Sequence, residues 1–328
     1  NLDTMIKLLK ISMVAENFLC IYRNYYDYSA IQKCFLYLHL CCQVSIYVTM
    51  SIIDSKLLYI KFQNEKMTLF FLVFCIRNVF FANCLTFILR GLYQHESFHS
   101  YLVSINYAYT HFKHDIQCIK SLKKINIFFI TNVVIILIYS PFDIIYRHVW
   151  TTNSDHYWLD VFMIMVETTA EVLYVIEYLI FFTLSMFIYL LMKCLSLSMS
   201  GVLKKLKWSN KNPACTRPHV TKELIQKWSD IYGHLVICSK ELSLCFGIQV
   251  RWNIYFVGHK IVFVMGGYLM TMTLITTGGQ MVQNRAVQLC RTTAALYSTM
   301  MIGKKCEKIN IVTNTPKSLI SLCYSRMN

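Results

Sequence analysis

Long apolar runs set between basic stretches constrain this chain more than any other feature. Residues 68–90 read TLFFLVFCIRNVFFANCLTFILR, and residues 124–146 read KINIFFITNVVIILIYSPFDIIY. About 20 apolar residues in a row are what a helix needs to cross the hydrocarbon core of a bilayer. A soluble chain would have to surround such runs with amphipathic partners, and few are in view. The pattern predicts an all-α, polytopic helical membrane protein.

The runs divide the 328 residues into three parts. Residues 1–33 mix polar and apolar positions and form an N-terminal segment. Residues 34–277 hold the expected spans, at about 34–53, 68–90, 124–146, 158–192 and 253–277, with a partial helix over about 234–250. Residues 278–328 form a basic tail. The 158–192 stretch has 35 residues. As a helix it would reach about 50 Å at 1.5 Å per residue, so it must tilt or leave the bilayer. The run from Leu235 to Val250 is interrupted by Lys240 and Glu241, so a full span is not expected there.

Charge orients these spans. Only 15% of residues are charged, and the net charge is +15. Such a balance can signal nucleic acid, but here the cations flank apolar runs, where they fix membrane orientation. A polar linker, 91–123, carries Lys113, Lys120 and Lys123. The loop 193–233 carries Lys193, Lys204, Lys205, Lys207, Lys211, Arg217, Lys222 and Lys227. Basic loops stay in the cytosol, so these two are inside, 54–67 and 147–157 are outside, and the N-terminus is cytoplasmic. The expected location is the plasma membrane, with several passes. The span at 253–277 breaks the pattern, because alone it carries the basic tail outside.

Fourteen Cys are scattered with no C-x-x-C pair. Cys41, Cys42, Cys75, Cys84 and Cys245 lie in apolar runs and read as small apolar side chains rather than metal ligands or disulfides. Cys194, Cys215 and Cys306 sit among basic residues, on the side assigned to the reducing cytosol.

Two pieces of the chain resemble the insect gustatory receptor family. The first is the basic loop together with LIQKWSDIYGHLVICSKELSLCFG at 224–247. There Tyr232, Leu235, Leu242, Phe246 and Gly247 fit a Tyr, spaced Leu residues and a Phe-Gly pair at the start of that family's fifth helix. The second is RAVQLCRTTAALYSTMMIGKKCEKI at 285–309, which is similar to the end of the sixth helix and the segment after it. The resemblance implies the seven-helix insect chemoreceptor type, shared with the insect odorant receptors. It implies a taste receptor subunit that detects a small-molecule tastant and acts as a ligand-gated cation channel in chemosensory neurons. A homo- or hetero-oligomer is implied, four subunits around one pore. In that family the seventh helix lines the pore and carries a Thr-Tyr…Gln-Phe signature. This sequence has no such signature, and part of the fifth helix is expected to be missing between Val250 and Trp252. The chain is therefore expected to lack the last helix and part of the fifth, and not to conduct by itself.

Ionisable residues inside a span mark candidate function, because facing lipid is costly for them. Glu167, Glu171, Tyr174 and Tyr178 fall within about 60° of one another on a helix at 100° per residue. They are the candidate ligand-binding stripe, a polar cavity wall. The alternative is helix–helix hydrogen bonding or a depth near the aqueous boundary. Glu177 lies to one side. Arg77, near the middle of 68–90, joins the candidate set as a partner for one of these carboxylates, or else snorkels. Asn78 and Asn83 add polar groups to that span. His259 and Lys260 lie in the last one, where Lys260 can snorkel.

No catalytic residue, cofactor or metal is assigned. The G-x-S-x-G and G-x-x-x-x-G-K-[ST] patterns are absent. His95, His99, His111 and His114 have ligand-compatible spacings but read as solvated. A secondary transporter is the alternative function, although no internal repeat is found and Pro141 is the only Pro within a span. A G-protein-coupled receptor would need its N-terminus outside. The expected partners are a tastant, membrane lipid and further subunits, not nucleic acid.

Overall fold

The computed structural model describes residues 29–62, 94–151, 157–211, 220–256 and 265–304, with scattered residues between 14 and 21 and between 71 and 93. Among the described residues there is no strand. The helices are α1 (Ala30–Phe62), α2 (His95–Phe112), α3 (Ile116–Thr151), α4 (Tyr157–Lys211), α5 (Lys222–Phe256) and α6 (Met265–Lys304). The positions described between 71 and 93 are helical as well.

Local chemistry sets several helix starts. Ser29 and Gln32 form a reciprocal capping box at α1: the Ser29 amide donates to Gln32 Oε1 at 2.9 Å, and the Gln32 amide to Ser29 Oγ at 3.4 Å. Asp115 caps α3, its Oδ1 accepting from the amides of Gln117 at 2.9 Å and Cys118 at 3.3 Å. Thr221 caps α5 through the Leu224 amide at 3.2 Å. Each cap satisfies amides that have no partner inside the first turn. Pro141 stands inside α3 without ending it, as apolar membrane helices tolerate.

Among the described residues, three helices are long and apolar enough to cross a membrane: Ala30–Ile53 within α1, Ile116–Tyr146 within α3 and most of α4. The spans expected at 34–53, 124–146 and 158–192 fall inside them. Their surroundings differ. In α3 Ile135, Leu137, Ile138, Phe142 and Ile145 are exposed, as suits a wall facing hydrocarbon. α4 is instead the buried centre, packing on α6, α3 and α5.

Paired contacts give the helix directions. α3 and α4 are antiparallel: Asp143 meets Thr168, and further along Phe128 meets Phe182 with ring centroids 5.8 Å apart. α2 and α5 are antiparallel: Gln94 Nε2 donates to the Leu244 carbonyl at 3.2 Å, the Cys238 thiol to the Tyr101 carbonyl at 3.7 Å, and Tyr107 stacks on His234. α4 and α6 run the same way, since Gly278 lies against Ser185 and Arg285 against Tyr189. α1 pairs with the helical residues near 78. Ser51 Oγ donates to Asn78 Oδ1 at 2.6 Å, Asn78 Nδ2 donates to Ser55 Oγ at 3.3 Å, and Tyr47 meets Phe81. Hydroxyl and amide groups of this kind join helices where water is scarce.

Several boundaries differ from the sequence expectation. The linker expected over 91–123 contains α2, whose Phe98, Tyr101, Leu102, Ile105, Ala108 and Tyr109 are buried. The basic loop expected over 193–233 is mostly helix, because α4 continues to Lys211 and α5 starts at Lys222. The partial helix expected at 234–250 is the middle of the 35-residue α5, continuous past Val250 and Trp252. Lys240 does not interrupt it, since that side chain points outward. The expected tail, 278–328, is helical through Lys304. Helix α1 begins at Ala30, inside the segment read as 1–33. Of the span expected at 253–277, residues 253–256 and 265–277 are helical, and 257–264, with His259 and Lys260, lie outside the described residues.

Candidate functional site

α4 has 55 residues. At 1.5 Å per residue it measures about 80 Å, against about 30 Å of hydrocarbon. A crossing of the bilayer by this helix would therefore leave half of it or more beyond the apolar layer. The middle of α4 is where the other helices converge. Phe181 packs on Phe246 of α5 at 5.3 Å, and Phe182 on Phe128 of α3. The Leu184 carbonyl accepts a bond from Tyr101 Oη of α2 at 3.0 Å. Ser185 lies against Gly278 of α6, at a spacing where an added Cβ would come within 3.3 Å of its Cβ. Tyr189 Oη accepts from Arg285 Nη2 of α6 at 3.1 Å, with the guanidinium 5.1 Å from the ring centroid. Arg285 is oriented in turn by Gln288, which accepts from Nη1. The segment 181–189 thus touches α2, α3, α5 and α6.

The candidate stripe lies in the preceding part of α4. Glu167 and Glu171 are both half-buried, and Tyr178 is buried. The open side of this end of α4 carries Trp158, Phe162, Met165 and Thr169. The side chain of Tyr174, and Arg77 and Asn83 altogether, lie outside the described residues, and with them the expected pairing of Arg77 with a carboxylate.

Two further acidic groups stand near this stripe. Glu177 is the most buried of the α4 glutamates, at 1% exposure. Asp143 of α3 accepts a bond from Thr168 Oγ1 at 3.4 Å. Asp143 is legible as a charge late in an apolar run. The burial of Glu177 is not, because it depends on which helices cover α4.

A second cluster lies between α2 and the first half of α5. The Tyr107 ring sits 4.8 Å from His111 and 4.0 Å from His234, centroid to centroid. His111 Nδ1 lies 2.9 Å from the Tyr107 carbonyl, and His234 Nδ1 is buried without a hydrogen-bond partner. Beside them is an open groove of about 420 Å³ lined by Tyr107, Lys222, Glu223, Gln226, Lys227 and Asp230. Its lysines and carboxylates balance, and Asp230 already accepts from Gln226 at 2.9 Å. His114 is exposed and His99 also faces outward.

Residues 95–99, His-Glu-Ser-Phe-His, spell the H-E-x-x-H of zinc-protease helices, a pattern that the sequence reasoning missed. They form the first turn of α2. Among the described residues no three His, Cys, Asp or Glu side chains are grouped to hold a metal. The pattern stands here as a helix start with Phe98 turned into the core and the polar residues around it.

Comparison with known protein families, curated proteins and solved structures finds no match to this chain.

Proposed function

We propose that the chain is a subunit of an insect gustatory receptor, a multi-pass plasma-membrane protein that detects small tastants and acts as a ligand-gated cation channel in the complete, oligomeric receptor. The seven-helix chemoreceptor architecture belongs to this proposal. The observation that carries it is the placement of the residues on which the resemblance rests. Tyr232, Leu235, Leu242 and Phe246 are all buried and fall within about 80° of one another on α5 at 100° per residue. They form one packing stripe rather than a scattered match. Leu244 and Lys240 face outward between them.

Helix direction also supports the proposed topology. Counting spans along the sequence puts the basic tail on the outer side. With α6 parallel to α4, the end of α6 with Arg291 and Lys304 lies toward the same end as Lys204, Lys205 and Lys207. One cytosolic side then collects both basic stretches. The N-terminus is assigned to that side too. Glu167, Glu171, Tyr174, Tyr178 and Arg77 are the proposed tastant-contacting residues, in a cavity opening toward the outer end of α4. An apolar wall with a few polar groups would suit a small amphipathic ligand. No enzymatic role is proposed.

The test is a tastant panel applied to cells expressing the receptor with intact surface delivery. A tastant-evoked cation current whose dose–response shifts with Glu171→Gln supports the reading. Substrate uptake coupled to an ion gradient, without such a current, would replace it with a secondary transporter. A response confined to volatile odorants would move the chain to the odorant receptors.

A further inference from the structure

The antiparallel register of α3 and α4 runs from Asp143 and Thr168, through Phe128 and Phe182, to Cys118 and Cys194. Each step toward the start of α3 is matched by a step toward the end of α4. Cys118 and Cys194 are thus facing residues of one helix pair, and their thiols are neighbours. Both are free and buried, Cys118 at 1% exposure and Cys194 at 7%. They stand at the lysine-rich end of the hairpin, before Lys120, Lys123 and Lys124 on α3 and after Lys193 on α4.

We propose that Cys118 and Cys194 form a redox-modifiable dithiol that a peroxide converts to a disulfide, clamping α3 to α4 at the lysine-rich end of the bundle.

Either thiol can react first, and the other resolves it. With Cys194 first, its sulfur attacks one peroxide oxygen, the O–O bond breaks, and hydroxide leaves to be protonated to water. Cys194 becomes a sulfenic acid. Cys118 then attacks that sulfur, the S–O bond breaks, and a second water leaves with the Cys118 proton. Two thiols lose two electrons and two protons, and one peroxide becomes two waters. A disulfide needs Cβ atoms about 3.5–4.5 Å apart, a short approach for neighbouring side chains on facing helices. The exposed Cys34, Cys41, Cys42 and Cys75 have no such facing partner in this helix pair.

The test treats the full chain, in detergent or membranes, with hydrogen peroxide. Free thiols are blocked with N-ethylmaleimide, and linked peptides are identified by mass spectrometry. The expected result is joint loss of alkylation at Cys118 and Cys194, a peptide linking them, and recovery with dithiothreitol. In Cys118→Ser and in Cys194→Ser the remaining thiol should stop at a dimedone-reactive sulfenic acid, with no linked peptide. Thermal melting and gel filtration of both variants separate loss of chemistry from loss of fold. Linkage of other cysteines in preference to this pair would overturn the proposal. So would oxidation of only one of the two in the unsubstituted chain, or no oxidation at either position.

Discussion

Removing the hydroxyl of Tyr101 tests how α2 is held to the rest of the bundle. Tyr101 is 0% exposed, and its hydroxyl donates to the Leu184 carbonyl of α4 at 3.0 Å. Burial pushes this phenol well above its ordinary range, with Cys238 and Cys245 adding smaller effects, so it stays a donor at neutral pH. In Tyr101→Phe the ring remains, and the Leu184 carbonyl keeps its own helical amide partner four residues on. No buried group is orphaned, so the loss is one net hydrogen bond, about 0.5–1.5 kcal/mol. Tyr101→Ala also empties the ring's place and should cost about 3–5 kcal/mol. Unfolding entropy of about 2.1 cal/mol/K per residue gives about 0.7 kcal/mol/K for a chain of this length. Melting should drop by about 1–2 °C for Phe and about 4–7 °C for Ala on that scale. Membrane helices that stay folded lower the entropy and enlarge both shifts, leaving their order unchanged. The assay is thermal denaturation of the purified protein in detergent, monitored by near-ultraviolet circular dichroism. Equal losses for Phe and Ala, or no loss for either, would refute the idea that a packed, hydrogen-bonded ring joins α2 to α4. Because the folded-state value is raised, the phenol's contribution is complete below about pH 10, its unfolded value, and falls as pH rises above it.

The same convergence of helices gives further outcomes. Gly278→Leu should cost about 1–3 kcal/mol by overpacking against Ser185 and Phe182, read as a lower melting temperature. Gly278→Ala should be nearly neutral, because the 3.3 Å contact offsets a helix-propensity gain of about 1 kcal/mol. Glu177→Lys puts an ammonium where exposure is 1% and should cost about 3–5 kcal/mol; surface expression equal to that of Glu177→Gln would contradict this. Epitope tags before residue 1 and after residue 304 should both be labelled only in permeabilised cells, and labelling of either on intact cells would reverse the proposed topology.

Features that depend on neighbouring residues were legible in the amino-acid order. Apolar density over about 20 positions located α1, α3 and most of α4, because bilayer crossing is a property of a contiguous segment. Caps at Ser29, Asp115 and Thr221 are equally local. The start of α2 and the extent of α5 were present as period-3.6 stripes, at 98, 101, 102 and 105 and again at 225, 228, 232 and 235. Charged and polar residues on their other faces made them read as a linker and a broken span. Which helices cover α4 was settled by packing alone. That packing turned Glu177 inward, brought Tyr101 to the Leu184 carbonyl across 83 positions of sequence, and set Cys118 opposite Cys194. It also made α6 parallel to α4, which sends the basic end of α6 back toward the basic end of the bundle. Direction and partner choice arise from side-chain contacts between distant segments, and no window along the chain contains both halves of such a contact.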